Sequence, residues 1–343
     1  MQRSIGREHG RHSRGALAIC REQEGSSWAG TGETFARRCE VNDRESNTGA
    51  QRMNKTHPGY RVLHDSYTGE GCLALTGPWR EEFDGLVGKR GVSSVRLSAG
   101  LGWDGNSIEF VRTLGRRLKG LEIYCPRVPD ITPIMDATSL LHLGIDTECE
   151  RSGDLSGLSS LRSACVEWKP CLQSILSSPS LEYLNVTSFP FLDLGELGSL
   201  TRLRKLLLQS TQLRDLSGIE LLEGLEELDL SYCSHLHSIE GVDTLPRLRT
   251  LEVLGSRIGD IEPLRGVRGL RRLRLENCRE VESLLPLESS TNIEEVFIIG
   301  ETTLADGKVR WLFELKSLKR VGIRRRRHYD LSKRELRDLQ EKL

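Results

Sequence analysis

Apolar residues recur in a fixed row along the second half of the chain. Each row has the form aliphatic-x-x-aliphatic-x-aliphatic, and successive rows begin 22, 23, 22 and 23 residues apart. The five rows begin at Leu203, Leu225, Leu248, Leu270 and Ile293. Self-similarity at a fixed period of this length predicts a repeat array, in which each unit buries its apolar face by stacking on its neighbours.

A single row has the pattern of a strand. Leu228 and Leu230 alternate with the polar Asp229, as a strand with one buried face requires. Each row is followed by an apolar residue at which the chain is expected to turn away: Leu213, Leu236, Ile258, Val281 and Leu304. The rest of each unit is too short for a full helix and carries Asp, Ser, Gly and Pro, which favour turns or short 3₁₀ segments.

These rows resemble those of bacterial leucine-rich-repeat proteins of the internalin type, which have 22-residue repeats. The resemblance implies an α/β leucine-rich-repeat solenoid, with a curved parallel sheet on the concave face and 3₁₀ turns and short helices on the convex face. Cys233 occupies the place at which this class carries Asn or a substitute, and Thr211, Ser256 and Cys278 occupy the same place in their rows. These side chains are expected to bind turn backbone groups that would otherwise be buried unpaired.

The series extends in both directions. Further rows begin at Val92, Leu118, Leu140, Leu161, Leu181 and Leu318, which makes eleven rows. The row at Leu161 has Ala164 in a core place, and we expect irregular convex structure between Pro170 and Pro179. A capping-box-like start at Asn106 predicts one true helix on the convex side.

The remaining segments are predicted to flank the array. Residues 1–55 have no period and few apolar residues, so we expect a disordered leader. A second hypothesis is that Met53 is the natural start and that the preceding residues are not native. Residues 56–91 are predicted to form an N-terminal cap, with a hairpin and a short amphipathic helix, and residues 92–323 the array. Residues 324–343 are predicted to form a C-terminal cap helix, with a capping box between Ser332 and Glu335.

Composition narrows the class of protein. Arg and Lys equal Asp and Glu at 49 each, so no global field attracts nucleic acid or a membrane. No apolar run approaches the roughly 18 residues of a membrane span, and no complete export signal is present. The nine cysteines form no C-x-x-C pair, which favours reduced thiols and a cytoplasmic protein. A monomer is expected.

Signals for an enzyme were not found in the sequence. It contains no nucleophile-elbow, zinc-protease, phosphate-loop or dinucleotide motif. The adjacent His64 and Asp65, and the nearby His235 and His237, are interpreted as turn residues. We therefore predict no catalytic residues, no cofactor and no metal site.

The concave face is the predicted partner site. Arg271, Arg272 and Arg274 form a basic cluster there, and Glu226, Glu227 and Asp229 form an acidic one. Clusters of both signs suit a protein partner with complementary charges, although neighbouring strands could equally pair these charges into a self-neutralising ladder. Nucleic acid would favour one sign throughout and is not expected.

Aromatic residues add a second indication of a partner. Five fall on outward-facing concave places: Tyr124, Trp168, Tyr183, Tyr232 and Phe297. Tyr and Trp are common anchors of protein interfaces, and Phe297 with Ile299 and Leu254 would form an apolar patch. We therefore predict a non-catalytic recognition scaffold that binds a protein of unknown identity.

Two alternative functions remain open. One is a nucleic-acid or phosphate-binding module that uses the arginine clusters, including Arg324 to Arg327. This second run is also explained as a charged edge that discourages pairing of the last strand. The other alternative, which the resemblance implies, is a bacterial protein that neutralises a toxin or acts as an effector.

Overall fold

The computed structural model describes residues 56–89 and 91–342. Within them, fourteen strands form one sheet that is antiparallel among its first three strands and parallel thereafter. In chain order the strands are β1 (Thr56–His57), β2 (Tyr60–His64), β3 (Gly71–Leu75), β4 (Val92–Ser98), β5 (Gly120–Arg127), β6 (His142–Glu148), β7 (Ser163–Glu167), β8 (Tyr183–Thr187), β9 (Lys205–Gln209), β10 (Glu227–Ser231), β11 (Thr250–Leu254), β12 (Arg272–Glu276), β14 (Glu295–Ile299) and β16 (Arg320–Ile323). A second sheet pairs β13 (Glu280–Val281) with β15 (Thr303–Leu304).

Short helices carry the chain back from each strand to the next. The α-helices are α1 (Phe110–Leu114) and α2 (Lys333–Gln340). The 3₁₀ helices span Glu81–Gly85, Ala99–Leu101, Gly115–Arg117, Thr132–Asp136, Leu155–Gly157, Pro170–Ser177, Gly195–Leu197, Ile219–Leu221, Val242–Thr244, Glu262–Gly266, Leu285–Ser289 and Arg310–Glu314. The thin return segments follow from units too short for a long helix.

All eleven predicted rows become parallel strands of the large sheet. Their registers align the same place in successive coils, so that Leu228 lies beside Leu206 on one side and Leu251 on the other. These three side chains are fully buried in one continuous core. The predicted α/β solenoid with a parallel sheet and 3₁₀ turns is therefore present.

The side chains that were predicted to bind backbone groups of the turn after each strand do so in most of these rows. The Cys233 sulfur contacts the Ser231 carbonyl at 3.6 Å, and the Cys278 sulfur contacts the Val253 carbonyl at 3.6 Å. Burial raises the pKa of the Cys233 thiol to about 12, so these sulfurs are core residues.

The assignment of Thr211 to this place is wrong. Thr211 is exposed, and Ser210 is buried instead, where its hydroxyl donates to the Phe189 carbonyl at 2.6 Å and accepts the Leu213 amide at 3.0 Å. In the rows of Cys233 and Cys278 the preceding residue has a positive φ and turns the next side chain inward. Ser210 itself occupies that preceding place and faces inward directly.

Two other local predictions are corrected by the structure. The segment predicted to be irregular holds the eight-residue 3₁₀ helix Pro170–Ser177, whose Leu172 and Ile175 are buried. The short helix predicted near Phe83 is present as the 3₁₀ helix Glu81–Gly85, with Phe83 buried. No box forms at Asn106; the Ser107 hydroxyl accepts the Glu109 amide, and the helix begins at Phe110.

The prediction of reduced cysteines is also wrong for one pair. Cys149 and Cys171 form a disulfide across neighbouring coils, 22 residues apart in sequence. Spacing alone gave no sign of it, because the two residues are brought together by the stacking of the coils.

The two ends of the array differ. At the amino end β2 and β3 form an antiparallel hairpin, and β3 runs parallel to β4 and extends the sheet. At the carboxyl end Ser332 and Glu335 form a reciprocal capping box on α2, and the Gln340 amide group donates to the Val321 carbonyl of the last strand. The predictions for residues 1–55 and for Leu343 lie outside the described residues.

Candidate functional site

The first half of the sheet face is covered by the chain itself. The loop between β2 and β3 folds over it, and the Tyr67 ring stacks on the His142 ring at 3.7 Å between centroids and 2° between planes. The Tyr67 hydroxyl lies 3.4 Å from the Cys165 sulfur, and Lys119 binds Glu70 at 2.5 Å. Sequence reasoning missed this cover, because a loop residue gives no pattern for a contact 98 positions away.

Asp65 shapes the covering loop. Its carboxylate accepts the Tyr67 amide at 2.9 Å and the Thr68 amide at 3.3 Å, which is a local turn stabilised by the side chain. The same carboxylate accepts a short hydrogen bond from the Ser94 hydroxyl on the sheet. Gly120 makes this approach possible, since a β-carbon there would collide with Ser94 and Asp65. Asp65 is therefore a structural residue.

A buried polar network lies beneath the loop. The Glu122 carboxylate pairs with Arg96 and lies 3.5 Å from His142 Nε2, while His142 Nδ1 lies 3.0 Å from the Ser163 hydroxyl. Burial favours a raised pKa for Glu122, but the nearby His142 and the charge of Arg96 outweigh it and lower the pKa to about 2. His142 is only 1% exposed, so the network lies beneath the loop and contacts it through the stack of Tyr67 on His142.

A carboxyl pair lies beside the network. Asp146 and Glu167 occupy the same place in neighbouring strands, β6 and β7. Burial and a hydrogen bond to Glu167 raise the pKa of Asp146 to about 7. The sequence shows two acids at the same place of adjacent rows. It does not show that Asp146 is buried and hydrogen-bonded to Glu167, which is what raises its pKa.

The second half of the sheet face is open. Two adjoining grooves of about 490 and 380 Å³ lie along it. Their floor includes Leu207, Asp229 and Glu252, from β9, β10 and β11. This is the half in which the predicted charge clusters come together.

The predicted clusters are paired with opposite charges. Their ion pairs, with the distance between charged atoms, are Arg204–Glu226 at 2.6 Å, Lys205–Glu227 at 2.7 Å, Arg271–Glu294 at 3.5 Å, Arg272–Glu252 at 3.3 Å and Arg272–Glu295 at 2.7 Å. Arg274 pairs with Glu276 along its own strand, and Asp229 accepts the Ser231 hydroxyl at 2.7 Å. The face is therefore the charge ladder that one reading of the sequence predicted.

The five predicted aromatics divide between the two halves. Tyr124 is only 9% exposed and lies over Gly144, so the prediction that its ring is displayed is wrong. The half-buried Trp168 packs edge-on against Phe191, and the half-buried Tyr183 lies 6.0 Å from the Lys205 ammonium. In the open half, Phe297 lies under the Arg320 guanidinium and over Gly322. Tyr232 is 46% exposed.

The apolar patch predicted around Phe297 is smaller than expected. Phe297, Ile299 and Leu254 are all partly buried, and Arg320 covers the Phe297 ring. Tyr232 is the one large apolar side chain of the described strands and strand ends that is prominently exposed, because Leu192 and Leu221 lie in the return segments.

The second arginine run is partly paired. Arg324 and Arg326 both reach Glu301, at 3.0 and 3.5 Å. Arg325 and Arg327 are exposed. His64, predicted to lie in a turn, is the last residue of β2 and is exposed, as are His235 and His237 after β10. No metal-binding group of three or more His, Cys, Asp or Glu occurs among the described residues.

Comparison with solved structures decides the fold. An internalin of Listeria monocytogenes, InlF, superposes with a TM-score of 0.54 at 20% identity, over 71% of this chain and 70% of that one. The chain folds as a leucine-rich-repeat solenoid. The predicted resemblance to internalin-type proteins is confirmed at the level of the fold.

Other solenoids give weaker superpositions. An internalin C2 of the same organism has a TM-score of 0.44 at 19% identity, over 62% of this chain and 84% of that one. A leucine-rich-repeat protein of Leptospira interrogans has a TM-score of 0.39 at 16% identity, over 79% and 88% of the two chains. No family model and no curated protein matches the sequence. In the described part of this solenoid, no helix is long and apolar enough to cross a bilayer.

Proposed function

We propose that this leucine-rich-repeat protein is a non-catalytic recognition scaffold, which binds a protein partner on the open half of its sheet face. The observation that carries the proposal is the division of that face. The loop from Asp65 to Tyr67 contacts β4, β6, β7 and the start of β8, whereas two adjoining grooves lined by charged side chains extend from Asn185 of β8 to β14. A groove with ordered charges of both signs supports recognition of another protein.

The arrangement of charge counts against the nucleic-acid alternative. Nucleic acid attracts a continuous basic surface, but Arg271, Arg272 and Arg274 each bind a glutamate. Arg324 and Arg326 likewise share Glu301. We therefore retain a protein partner, bound by a monomer of this chain. A toxin-neutralising or effector role remains a prediction from the resemblance alone.

The proposed location must accommodate the disulfide. A cytoplasmic protein was predicted from its cysteines, but the Cys149–Cys171 bond weighs against a reducing compartment. Measuring the thiol content of the protein, purified from its native cells under acid quench, decides between a cytoplasmic and an exported location. A reduced pair there supports the cytoplasm, and an oxidised pair supports an exported protein.

Site-directed photo-crosslinking tests the proposed surface. A benzoylphenylalanine at Leu254, in a groove of the sheet face, should capture a protein in native cells. The matched control places it at Leu221, which is 51% exposed on a return segment. The captured protein is then identified, purified and titrated against the solenoid. Equal capture from both positions, or purified proteins that do not bind, would remove the proposal.

A further inference from the structure

The last three strands of the large sheet carry more cations than carboxylates. Three glutamates there are each held between two cations. The groups are Glu294 with Arg271 and Lys319, Glu295 with Arg272 and Arg320, and Glu301 with Arg324 and Arg326. One carboxylate neutralises only one of two cations, and Glu252 of β11, which also binds Arg272, offsets one more. Taken together, these groups keep a net positive charge.

The excess of positive charge is local. Residues 271–276, 294–301 and 319–327, which form the basic end of the sheet face, hold nine basic and four acidic side chains. Residues 204–209, 226–231 and 249–254, on the three preceding strands, hold three basic and four acidic ones. Within the basic end, Arg325 and Arg327 are exposed and form no ion pair with any residue that the structure describes. A partner with negative charge is therefore attracted to the basic end rather than to the preceding strands.

An apolar centre lies among these cations. Phe297 of β14 lies in register with Arg274 of β12 and Gly322 of β16. Because Gly322 has no side chain, the ring lies over it, and the Arg320 guanidinium is 6.0 Å from the ring centroid. Ile299 faces the same side of β14, two residues along, and both apolar side chains are only partly buried. The basic end therefore offers an apolar contact with cations on both sides of it.

Arg320 and Arg324 are the cations best placed to bind a partner. Their side chains are 59% and 56% exposed. Glu295 accepts hydrogen bonds from Arg320 Nε and Nη2, and Glu301 accepts one from Arg324 Nη1. An arginine has more N–H donors than these bonds use, so each guanidinium keeps N–H groups that can donate to a carboxylate of a partner.

An acidic peptide segment fits this arrangement. β12 and β16 are two strand spacings apart, roughly 10 Å, so one segment can reach cations on both sides of Phe297. Glutamates interrupt the cations, which suits separate carboxylates better than the continuous backbone of nucleic acid. We propose that the basic end binds an acidic segment of the protein partner, with an apolar side chain against Phe297 and Ile299 and carboxylates on Arg320 and Arg324. This inference rests on the proposed function and specifies the chemistry of the partner.

A random peptide library displayed on phage tests the proposal without a known partner. Selection on the full chain should enrich peptides in which Asp or Glu flanks an apolar residue. The enriched peptides are synthesised with a fluorophore and titrated by fluorescence polarisation. Replacing the acids of a peptide by their amides, or its apolar residue by Ser, should weaken binding about tenfold. Moderate salt should weaken binding of the acidic peptides, because the cations are exposed.

Variants of the chain locate the binding site. Arg320→Gln with Arg324→Gln should weaken the peptides about tenfold. The melting temperature should change little, because Arg272 and Arg326 still hold the two glutamates. The matched control, Arg204→Gln with Lys205→Gln, removes the same charge from the start of β9, where both cations are also paired with glutamates. The control should leave peptide binding unchanged.

Several results would overturn the inference: enrichment of basic or neutral peptides, no binders at all, or equal affinities for the Arg320 and Arg324 variant and its control. An oligonucleotide of thymidines that binds the basic end more tightly than the peptides would also overturn it, in favour of nucleic acid. The crosslinking experiment separates these failures from that of the proposed function. A protein captured at Leu254 whose binding survives the loss of Arg320 and Arg324 would leave the recognition surface in place and remove only its preference for an acidic segment.

Discussion

Tyr67 lies flat on His142, with their ring centroids 3.7 Å apart and their planes 2° from parallel. The two residues are far apart in the sequence, since Tyr67 belongs to the loop after β2 and His142 to β6. Their contact closes the first half of the sheet face with the protein's own chain. The sheet face is thereby divided into a half that this loop contacts and a half that carries the two grooves.

Removing the Tyr67 ring should loosen this cover. Tyr67→Ala deletes the stack on His142 and exposes the Glu122 network, at a cost of about 2 kcal/mol in the free energy of unfolding. Tyr67→Phe keeps the stack and removes only the hydroxyl near Cys165, so it should cost less than about 1 kcal/mol. Chemical denaturation of both variants measures the difference. Equal losses would show that the stack is not what holds the loop.

Shortening a core leucine should destabilise the coil that carries it and its neighbours. Leu228 is fully buried between Leu206 and Leu251. Leu228→Ala should therefore lower the free energy of unfolding by about 2–5 kcal/mol. Leu221→Ala, at a half-exposed position of the return segment just before this strand, should change it by less than about 0.5 kcal/mol. Similar thermal melts for the two variants would contradict the stacking of the coils.

The disulfide should contribute to stability through the loop that it closes. Cys149 and Cys171 are 22 positions apart in the sequence, and a chain-entropy estimate gives about 3 kcal/mol for a loop of this length. Cys149→Ser with Cys171→Ser should lower the melting temperature, and a reducing agent should do the same to the natural chain. The double variant serves as the control, because reducing agent should leave its melt unchanged. A parallel fall in both would assign the effect to the reagent.

The stability should depend on pH through Asp146. Its pKa is raised in the folded protein from about 3.8 to about 7, so folding binds a proton between these values. The stabilisation is complete below the ordinary pKa and is lost as the pH rises through about 7. The melting temperature should therefore fall between pH 5 and pH 8, by the equivalent of about 1–3 kcal/mol. Asp146→Asn, which mimics the protonated carboxyl, should flatten this slope. A slope that persists unchanged would place the titrating group elsewhere.

The repeats could be predicted because each coil imposes the same demand on its sequence. An apolar residue in the place of Leu228 must face the core in every coil, so the spacing alone located eleven strands. Departures from the regular unit were harder to predict. Ser210 replaces Thr211 because its row lacks the left-handed residue that turns the next side chain inward. The disulfide and the Tyr67 cover depend on contacts between units, which a repeat pattern does not encode.

The candidate site was predictable in its charges but not in its accessibility. Arg272 and Glu227 were correctly placed in aligned columns, because parallel strands in register bring equal places together. Tyr124 was misjudged, since the absent side chain of Gly144 lets its ring lie down on the sheet. The size of the residue in the next coil thus decides whether an aromatic ring is displayed or buried.

The charge ladder itself should stabilise the fold only slightly. Arg272 bridges Glu252 and Glu295, but it is 40% exposed, and ion pairs at such positions contribute roughly 0–1 kcal/mol. Arg272→Ala should lower the free energy of unfolding by about 1 kcal/mol at low salt, because it leaves the two glutamates facing each other. The loss should shrink at high salt, where repulsion between exposed charges is screened. Arg272→Lys keeps the charge and should retain most of the stability. Denaturation at both salt concentrations measures these effects. A loss that is large and independent of salt would mean that Arg272 stabilises the sheet by packing against it and not by its charge.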